Sequence, residues 1–255
     1  MWRLCAVVPV YNHEHAIAAV VRGITAAGIA CILVDDGSSP KCRQELQRLR
    51  DSHPHVSLIR RDVNGGKGAA VSDGLRFARS NGFTHALQID ADGQHDVTDI
   101  ARFAGASQSH PESLICGRPV FDHTLPAARR FWRQWTHVLV RINTLSPQIR
   151  DSMCGFRIYP LGPVLALLDA VRLGARMDFD IELLVRLQWR AVPMLWLDTH
   201  VSYPADGISH FRLLRDNALI TWLHVRMFFG MLIRSPVLLY RALLPAPSRR
   251  EAAGR

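Results

Sequence analysis

Lysine is almost missing from this 255-residue chain: Lys41 and Lys67 are the only two among 31 basic side chains. Composition bias towards arginine accounts for that ratio, but not for where the arginines sit. No CxxC pair occurs among Cys5, Cys31, Cys42, Cys116 and Cys154. Their odd number and wide scatter suggest neither a cysteine zinc site nor a disulfide framework and favour a reducing compartment. An uninterrupted apolar run of the ~20 residues that a spanning helix needs is also missing. The longest stretch, 218–244, is broken by Arg226, Arg234 and Arg241, so no membrane span is expected. The run before Pro9 is too short for a secretory signal. Internal repeats and a separating linker are absent. What remains is 48% hydrophobic and 21% charged, with 17 Gly and 14 Pro. That is ordinary globular composition, which excludes collagen-like and largely disordered chains and allows a sizeable core.

The net charge of +9 is unevenly spread. Residues 1–117 carry 12 basic and 12 acidic side chains, and 158–200 carry 4 and 5. The excess lies in 118–157, with 7 basic and 2 acidic, and in 201–255, with 8 and 3. Both blocks are rich in Trp, Phe and Leu. Basic clusters suit phosphates, nucleic acids or anionic membranes. No nucleic-acid motif accompanies these, and their arginines are interleaved with aliphatics, so an anionic membrane surface is the expected partner and nucleic acid is not.

Leu4–Val10, Ala30–Val34, Val56–Ile59, Thr84–Ile89 and Ser113–Cys116 read as strands. Helical periodicity covers Glu14–Ala27, Lys41–Ser52, Ala69–Arg79 and Val97–Ala106. Such alternation implies an α/β fold, a mainly parallel Rossmann-like sheet covered by helices on both faces, with ligands at the carboxyl ends of the strands. The clusters Tyr11-Asn12, Asp35-Asp36 and Asp90-x-Asp92 all fall there. After 117 the alternation stops. Leu125–Thr144 reads as an amphipathic helix whose Arg129, Arg130, Arg133, Gln134, His137 and Arg141 share an arc of about 140°. A second strand–helix cluster runs to about 205. A last helix spans about 209–233 and ends or kinks at Pro236. On a helix over 212–241 the arginines fall in an arc of about 100°, and they would snorkel to lipid phosphates. The organisation expected is a catalytic unit over 1–205, an amphipathic helical extension over 206–244 and a disordered tail over 245–255.

Asp90 and Asp92, alternate carboxylates just past a strand, can converge on a hard divalent cation, and Gln94 adds a neutral oxygen. A polar turn gives the same pattern. Asp36 can accept from a nucleobase N–H or cap a helix. The run Asn64-Gly65-Gly66-Lys67-Gly68 lacks the hydroxyl residue of a P-loop; its glycines let backbone approach a ligand, and Lys67 can neutralise phosphate. Asp178, Asp180 and Glu182 are candidate bases, or acids favoured by a helix N-terminus. His95 follows the Asp-x-Asp pair, and His210 sits in Ser209-His210-Phe211-Arg212.

Four runs appear in order: Val7-Val8-Pro9-Val10-Tyr11-Asn12, Leu33-Val34-Asp35-Asp36-Gly37-Ser38, Asn64-x-Gly66-Lys67-Gly68-Ala69 and Gln88-Ile89-Asp90-Ala91-Asp92-Gly93-Gln94-His95. Cys116-Gly117-Arg118 and Asp151-Ser152-Met153-Cys154-Gly155-Phe156-Arg157 follow. The set, over roughly 4–205, resembles family-2 glycosyltransferases of the A-type nucleotide-sugar fold, and most of all the dolichyl- and polyprenyl-phosphate sugar synthases. The resemblance implies a donor pocket of Pro9, Tyr11, Asn12, Asp36 and Lys67, with Asp36 on the base. It implies Mg²⁺ or Mn²⁺ on Asp90, Asp92 and Gln94. Arg118 and one of Arg129, Arg130 and Arg133 would face an acceptor phosphate, and Gly155, Phe156 and Arg157 would shape that side. The donor would be UDP- or GDP-linked and the acceptor a lipid, at the cytoplasmic face of a membrane. A sugar or lipid hydroxyl as acceptor, which needs a base such as Asp180, and an inactive nucleotide-binding scaffold are the alternatives. Gly93 stands where relatives carry a bulkier apolar residue, and the Arg-rich block 201–255 does not map onto the synthases.

Overall fold

Every run read as a strand joins one sheet in the computed structural model, which describes residues 1–121, 127–202 and 213–243, with backbone alone at 127–131 and 213–217. The chain passes through β1 (Leu4–Val10), α1 (Ile17–Ala26), β2 (Ala30–Asp36), α2 (Pro40–Ser52), β3 (Val56–Arg61), α3 (Lys67–Ser80), β4 (His85–Gln88), α4 (Asp99–Ser109) and β5 (Leu114–Phe121). Then follow α5 (Ala127–Thr144), β6 (Arg157–Pro160), α6 (Leu161–Ala170), α7 (Phe179–Trp189), β7 (Met194–Val201) and α8 (Leu213–Leu243). The strand order is β3-β2-β1-β4-β6-β5-β7.

Strands β1 to β4 pair in parallel, as do β5 and β7. Their near-continuous apolar sequences follow from burial on both faces. Alternate residues feed two cores: Val7 and Val34 pack with α3, α6, α7 and α8, and Val8 and Leu33 with α1, α2 and α4. β6 is antiparallel to both neighbours, with Gln88 opposite Arg157 and Cys116 also opposite Arg157. Sequence order reverses direction across the sheet at β1, so the carboxyl ends of β1 and β4 border a crevice where α/β sheets bind ligands.

Two boundaries move for local reasons. Ser39 caps α2 by accepting from Cys42 N, with Pro40 in the first turn, an arrangement that suits both residues. α3 starts at Lys67, two residues earlier than periodicity indicates, because Gly66 turns the chain at φ +98°. A Cβ there would lie 2.5 Å from Ala175 O.

The last helix departs most from expectation. α8 runs unbroken past 233 to Leu243, with Pro236 inside it. Proline frees the carbonyl four residues earlier, and Ser235 Oγ donates to that oxygen, Leu232 O, at 2.8 Å. By length and composition Ala218–Leu243 suffices to cross a bilayer, contrary to the expectation that its arginines exclude this. Its facing is also opposite to the snorkelling arrangement. Ile220, Leu223, Met227, Met231 and Leu238 are buried against α5 and α7, and the arginines flank that buried stripe. Arg226 meets Glu182 at 3.4 Å, Arg234 lies 4.7 Å over the Trp189 ring, and Arg241 donates to Trp189 O at 2.8 Å. A wholly buried carboxylate demands counter-charge, and Glu182 draws it from Arg186 and Arg226. Trp222, Phe229, Ile233, Val237 and Tyr240 therefore face outward. The side chains of Arg212 and Arg215, His210, the 205/206 boundary and the tail 245–255 lie outside the described residues.

Candidate active site

The crevice is walled by turns that the sequence makes locally. After β1, Asn12 takes the left-handed conformation at φ 56°, which asparagine tolerates better than most residues. Its Oδ1 accepts from Ser39 N at 2.8 Å and its N–H donates to Ser38 Oγ at 3.1 Å. Asp35 accepts from Ser38 N and from Arg60. Asn12 thus ties the β1 turn to the β2 turn, and half-buried Pro9 and Tyr11 stand beside it. Asp36, the residue expected on a nucleobase, is engaged within the chain. Its two oxygens accept from Gly65 N at 2.9 Å and Gly66 N at 2.8 Å, and Arg61 Nε lies 2.9 Å away. With 3% of its surface exposed, Asp36 holds the glycine loop in place.

Across the crevice, Asp90 lies two residues past the end of β4. Lys67, at the N-terminus of α3, brings its Nζ to 2.7 Å from Asp90 Oδ1, 3.0 Å from Asp90 Oδ2 and 2.9 Å from Asp180 Oδ2. Only the Oδ2 contact to Asp90 is aligned for a hydrogen bond, so buried Asp90 Oδ1 makes none. Lys67 therefore bridges carboxylates rather than standing free for a phosphate. Burial opposes charge on Asp90, but Lys67 and His95 outweigh it and hold the carboxyl well below the usual range. Burial also opposes charge on Lys67; Asp180 and Asp90 reverse this and keep it protonated. Asp92 is pushed the other way, upward, by burial and by the charge of Asp90. Its Oδ1 accepts from Gln94 N, and Gln94 O accepts from Ser202 N, so the loop leans on the end of β7. His95 Nε2 lies 3.9 Å from Asp90 Oδ2 and its ring packs on Phe156.

Gly155 closes over this carboxylate. A Cβ at that position would lie 2.4 Å from Asp90 Oδ2, so only glycine leaves the carboxyl where it is. The residues fit a hard divalent cation: an unbonded buried oxygen, two carboxylates that repel each other, and a glycine-lined cradle. Among the described residues, no group of three His, Cys, Asp or Glu converges on a metal position.

The expected acceptor-side residues separate. Gly155 belongs to the crevice, whereas Phe156 and Arg157 are core. Phe156 is wholly buried against Phe103 and His95. Arg157, equally buried, donates to Asp180 and to Ser152 O. Its inward direction follows from its place on β6, between β4 and β5. Arg118 forms a two-pronged pair with Asp198 at 2.5 and 2.7 Å. Arg133 pairs with Asp151 at 2.6 Å and lies over the Phe121 ring. The side chains of Arg129 and Arg130 are outside the described residues. Asp180 is engaged on both oxygens, by Gln88 and Arg157 on one and Lys67 on the other. Glu182 binds Gly174 N and two arginines, and Asp178 Oδ1 accepts from Arg176 N.

Gln88, its partner Tyr159 and Asp151 are site residues not assigned from sequence. Gln88 accepts from Tyr159 Oη at 2.9 Å and donates to Asp180 at 3.1 Å. A glutamine inside an apolar strand is itself a signal, since such a residue needs partners. Asp151, beginning a quoted motif, accepts from Arg133 and from Met153 and Cys154 N.

Residues 5–163 match the family described as Glycosyl transferase family 2. The chain belongs to that family. Among family-2 relatives, the polyprenol monophosphomannose synthase of Mycolicibacterium smegmatis is 25% identical over 200 residues, 74% of this chain and 72% of that one. A dolichyl-phosphate beta-glucosyltransferase of Trichomonas vaginalis, ALG5C, is 27% identical over 179 residues, 65% of this chain. The chain spans about half the length of that enzyme, 52%. In fold it resembles glucosyl-3-phosphoglycerate synthase from Mycobacterium tuberculosis, solved with Mn²⁺, UDP-glucose and phosphoglyceric acid. The TM-score is 0.66 over 90% of this chain and 79% of that one, at 12% identity. The architecture is that of A-type glycosyltransferases.

Proposed function

We propose that the protein transfers a sugar from a UDP- or GDP-linked donor to a polyprenyl-phosphate-like lipid, at the anionic cytoplasmic surface of a membrane. The observation that carries this reading is the Asp90–Asp92 pair at the mouth of the β1/β4 crevice, with Asp90 Oδ1 buried and free of hydrogen bonds. Asp90, Asp92 and Gln94 would hold Mg²⁺ or Mn²⁺, and the ion would offset charge growing on the leaving diphosphate. Among the described residues, too few protein ligands converge to enclose an ion, which leaves positions for diphosphate oxygens.

The chain's own residues do the rest. Pro9 and Tyr11 would flank the nucleoside, and Asp36 would act on it through the glycine loop it holds. The N-terminus of α3 favours an anion beside Lys67. The bond broken joins sugar to diphosphate, and the attacking group decides whether a base is needed. Asp180, Asp178 and Glu182 are all engaged by donors. That favours an attacking phosphate, already anionic, over a hydroxyl. Arg118, and Arg133 oriented by Asp151, would hold it, with Arg129 and Arg130 on the same helix as Arg133. The names of the two relatives, both specifying prenyl-phosphate products or substrates, support the same acceptor class.

Residues 1–205 would supply the chemistry and 206–244 the membrane contact, with 245–255 as a tail. α8 packs sideways on α5 and α7, so it would lie in the interfacial plane rather than cross. Its outward Trp222, Phe229 and Ile233, with Trp132 and Trp135 of α5, would enter the lipid. Incubating the full chain with UDP- and GDP-sugars, Mn²⁺ and vesicles holding polyprenyl phosphate tests the reading. Expected is a sugar-lipid product that EDTA abolishes. Turnover unaffected by EDTA, or none with any such donor, would sink it.

A further inference from the structure

Lys67 competes with the cation that the proposed chemistry requires. Its contact with Asp90 occupies a carboxylate that the divalent ion needs. We propose that Lys67 is the resident counter-cation of the ion-free site, and that it makes the ion bind only together with a donor diphosphate. This rests on the metal reading of Asp90 and Asp92 above.

Three features support it. The ammonium sits between Asp90 and Asp180, 2.7 and 2.9 Å from their nearest oxygens, so the ion-free site is already neutralised. It holds Asp90 by one aligned hydrogen bond, to Oδ2 at 3.0 Å, with Oδ1 close but unaligned, whereas Asp180 also has Gln88 and Arg157. Lys67 can therefore leave Asp90 without stranding Asp180. Finally, Lys67 is the first residue of α3, where the helix N-terminus attracts anions. A bare divalent ion arriving at Asp90 meets a fixed positive charge in a buried setting, where like charges repel strongly. A diphosphate brings negative charge that offsets the surplus and gives Lys67 a new partner beside its own helix end. The ion and the diphosphate would thus enter as one unit, and the ion alone would be refused.

Mn²⁺ titration of the full chain, read by electron spin resonance of the free ion with and without UDP or GDP, tests this. The parent should bind Mn²⁺ at least tenfold more tightly with its preferred diphosphate than alone. Lys67→Met should bind Mn²⁺ alone at least tenfold more tightly than the parent, so that the diphosphate dependence collapses. Lys67→Arg, which keeps the charge, should behave as the parent. Lys67→Gln, which keeps a donor to Asp180, replaces Lys67→Met if that variant fails to fold by circular dichroism. A folded, uncharged variant that binds Mn²⁺ alone no more tightly than the parent overturns the proposal. So does a parent that binds Mn²⁺ equally well with and without diphosphate. A parent that takes up no Mn²⁺ under either condition overturns the metal reading itself.

Discussion

A methyl group added to Gly155 would lie inside van der Waals contact distance of the Asp90 carboxylate, 2.4 Å from Oδ2. Gly155→Ala should therefore move Asp90 and lower metal-dependent donor binding at least tenfold, a difference of about 1.4 kcal/mol. Equal nucleotide-sugar affinity by calorimetry in variant and parent would refute this. Asp92→Asn removes a carboxylate that burial and Asp90 already burden. It should lose Mn²⁺-dependent donor binding without losing thermal stability; a variant with normal turnover would sink the assignment. Asp36→Ala acts differently, since two loop amides lose their acceptor. A cost of about 1–3 kcal/mol per stranded buried group is expected, visible in urea unfolding. The Asp-x-Asp pair was legible because metal chemistry dictates residue types at fixed spacing. The core position of Arg157 was not, because a lone arginine in a motif gives no sign of which side of a sheet it faces.

Helix α8 carries its own titration. Burial at the α5–α8 seam pushes His224 down to about 4 from 6.5, and its Nδ1 is 3.0 Å from Asn143 Nδ2. A histidine kept neutral in the fold contributes stability above its unfolded pKa and loses it as pH falls from about 6.5 to about 4, on the order of 3 kcal/mol. The urea midpoint should drop over that window, and His224→Phe should flatten the drop. An unchanged profile in that variant would place the acid sensitivity elsewhere. On the outward face, Phe229→Asp with Ile233→Asp should weaken pelleting with anionic liposomes while leaving the free energy of urea unfolding within about 0.5 kcal/mol of the parent, as for surface changes generally. Undiminished pelleting would mean that this face does not meet lipid. Periodicity revealed that α8 has two faces but not which is inward. The deciding charge, Glu182, lies some 40 residues earlier on another helix, and no local pattern reports it. Pro236 misled for a related reason, since the relief offered by Ser235 depends on a rotamer.

At the scale of the molecule, parallel strands betray themselves through apolar runs and crossover helices, which is why β1 to β5 and the crevice were legible. β6 has four residues, one of them a buried arginine, too short and too polar for periodicity to register. That small strand has a consequence for how the protein is made. It fills the gap between β4 and β5 and runs against both. A ribosome that has delivered β4 must still deliver some seventy residues before β6 exists to cover the open edge. Until then β4 offers unpaired amides and carbonyls to any passing strand. Since Gly155 arrives on the same late segment, a chain stopped short of about residue 160 would lack the cradle of Asp90 as well as the strand. Premature termination or a nick between 121 and 127 should thus yield aggregating fragments, not weak enzymes. Co-expressed halves would regain metal-dependent donor binding only if the second threads β6 between two strands supplied by the first.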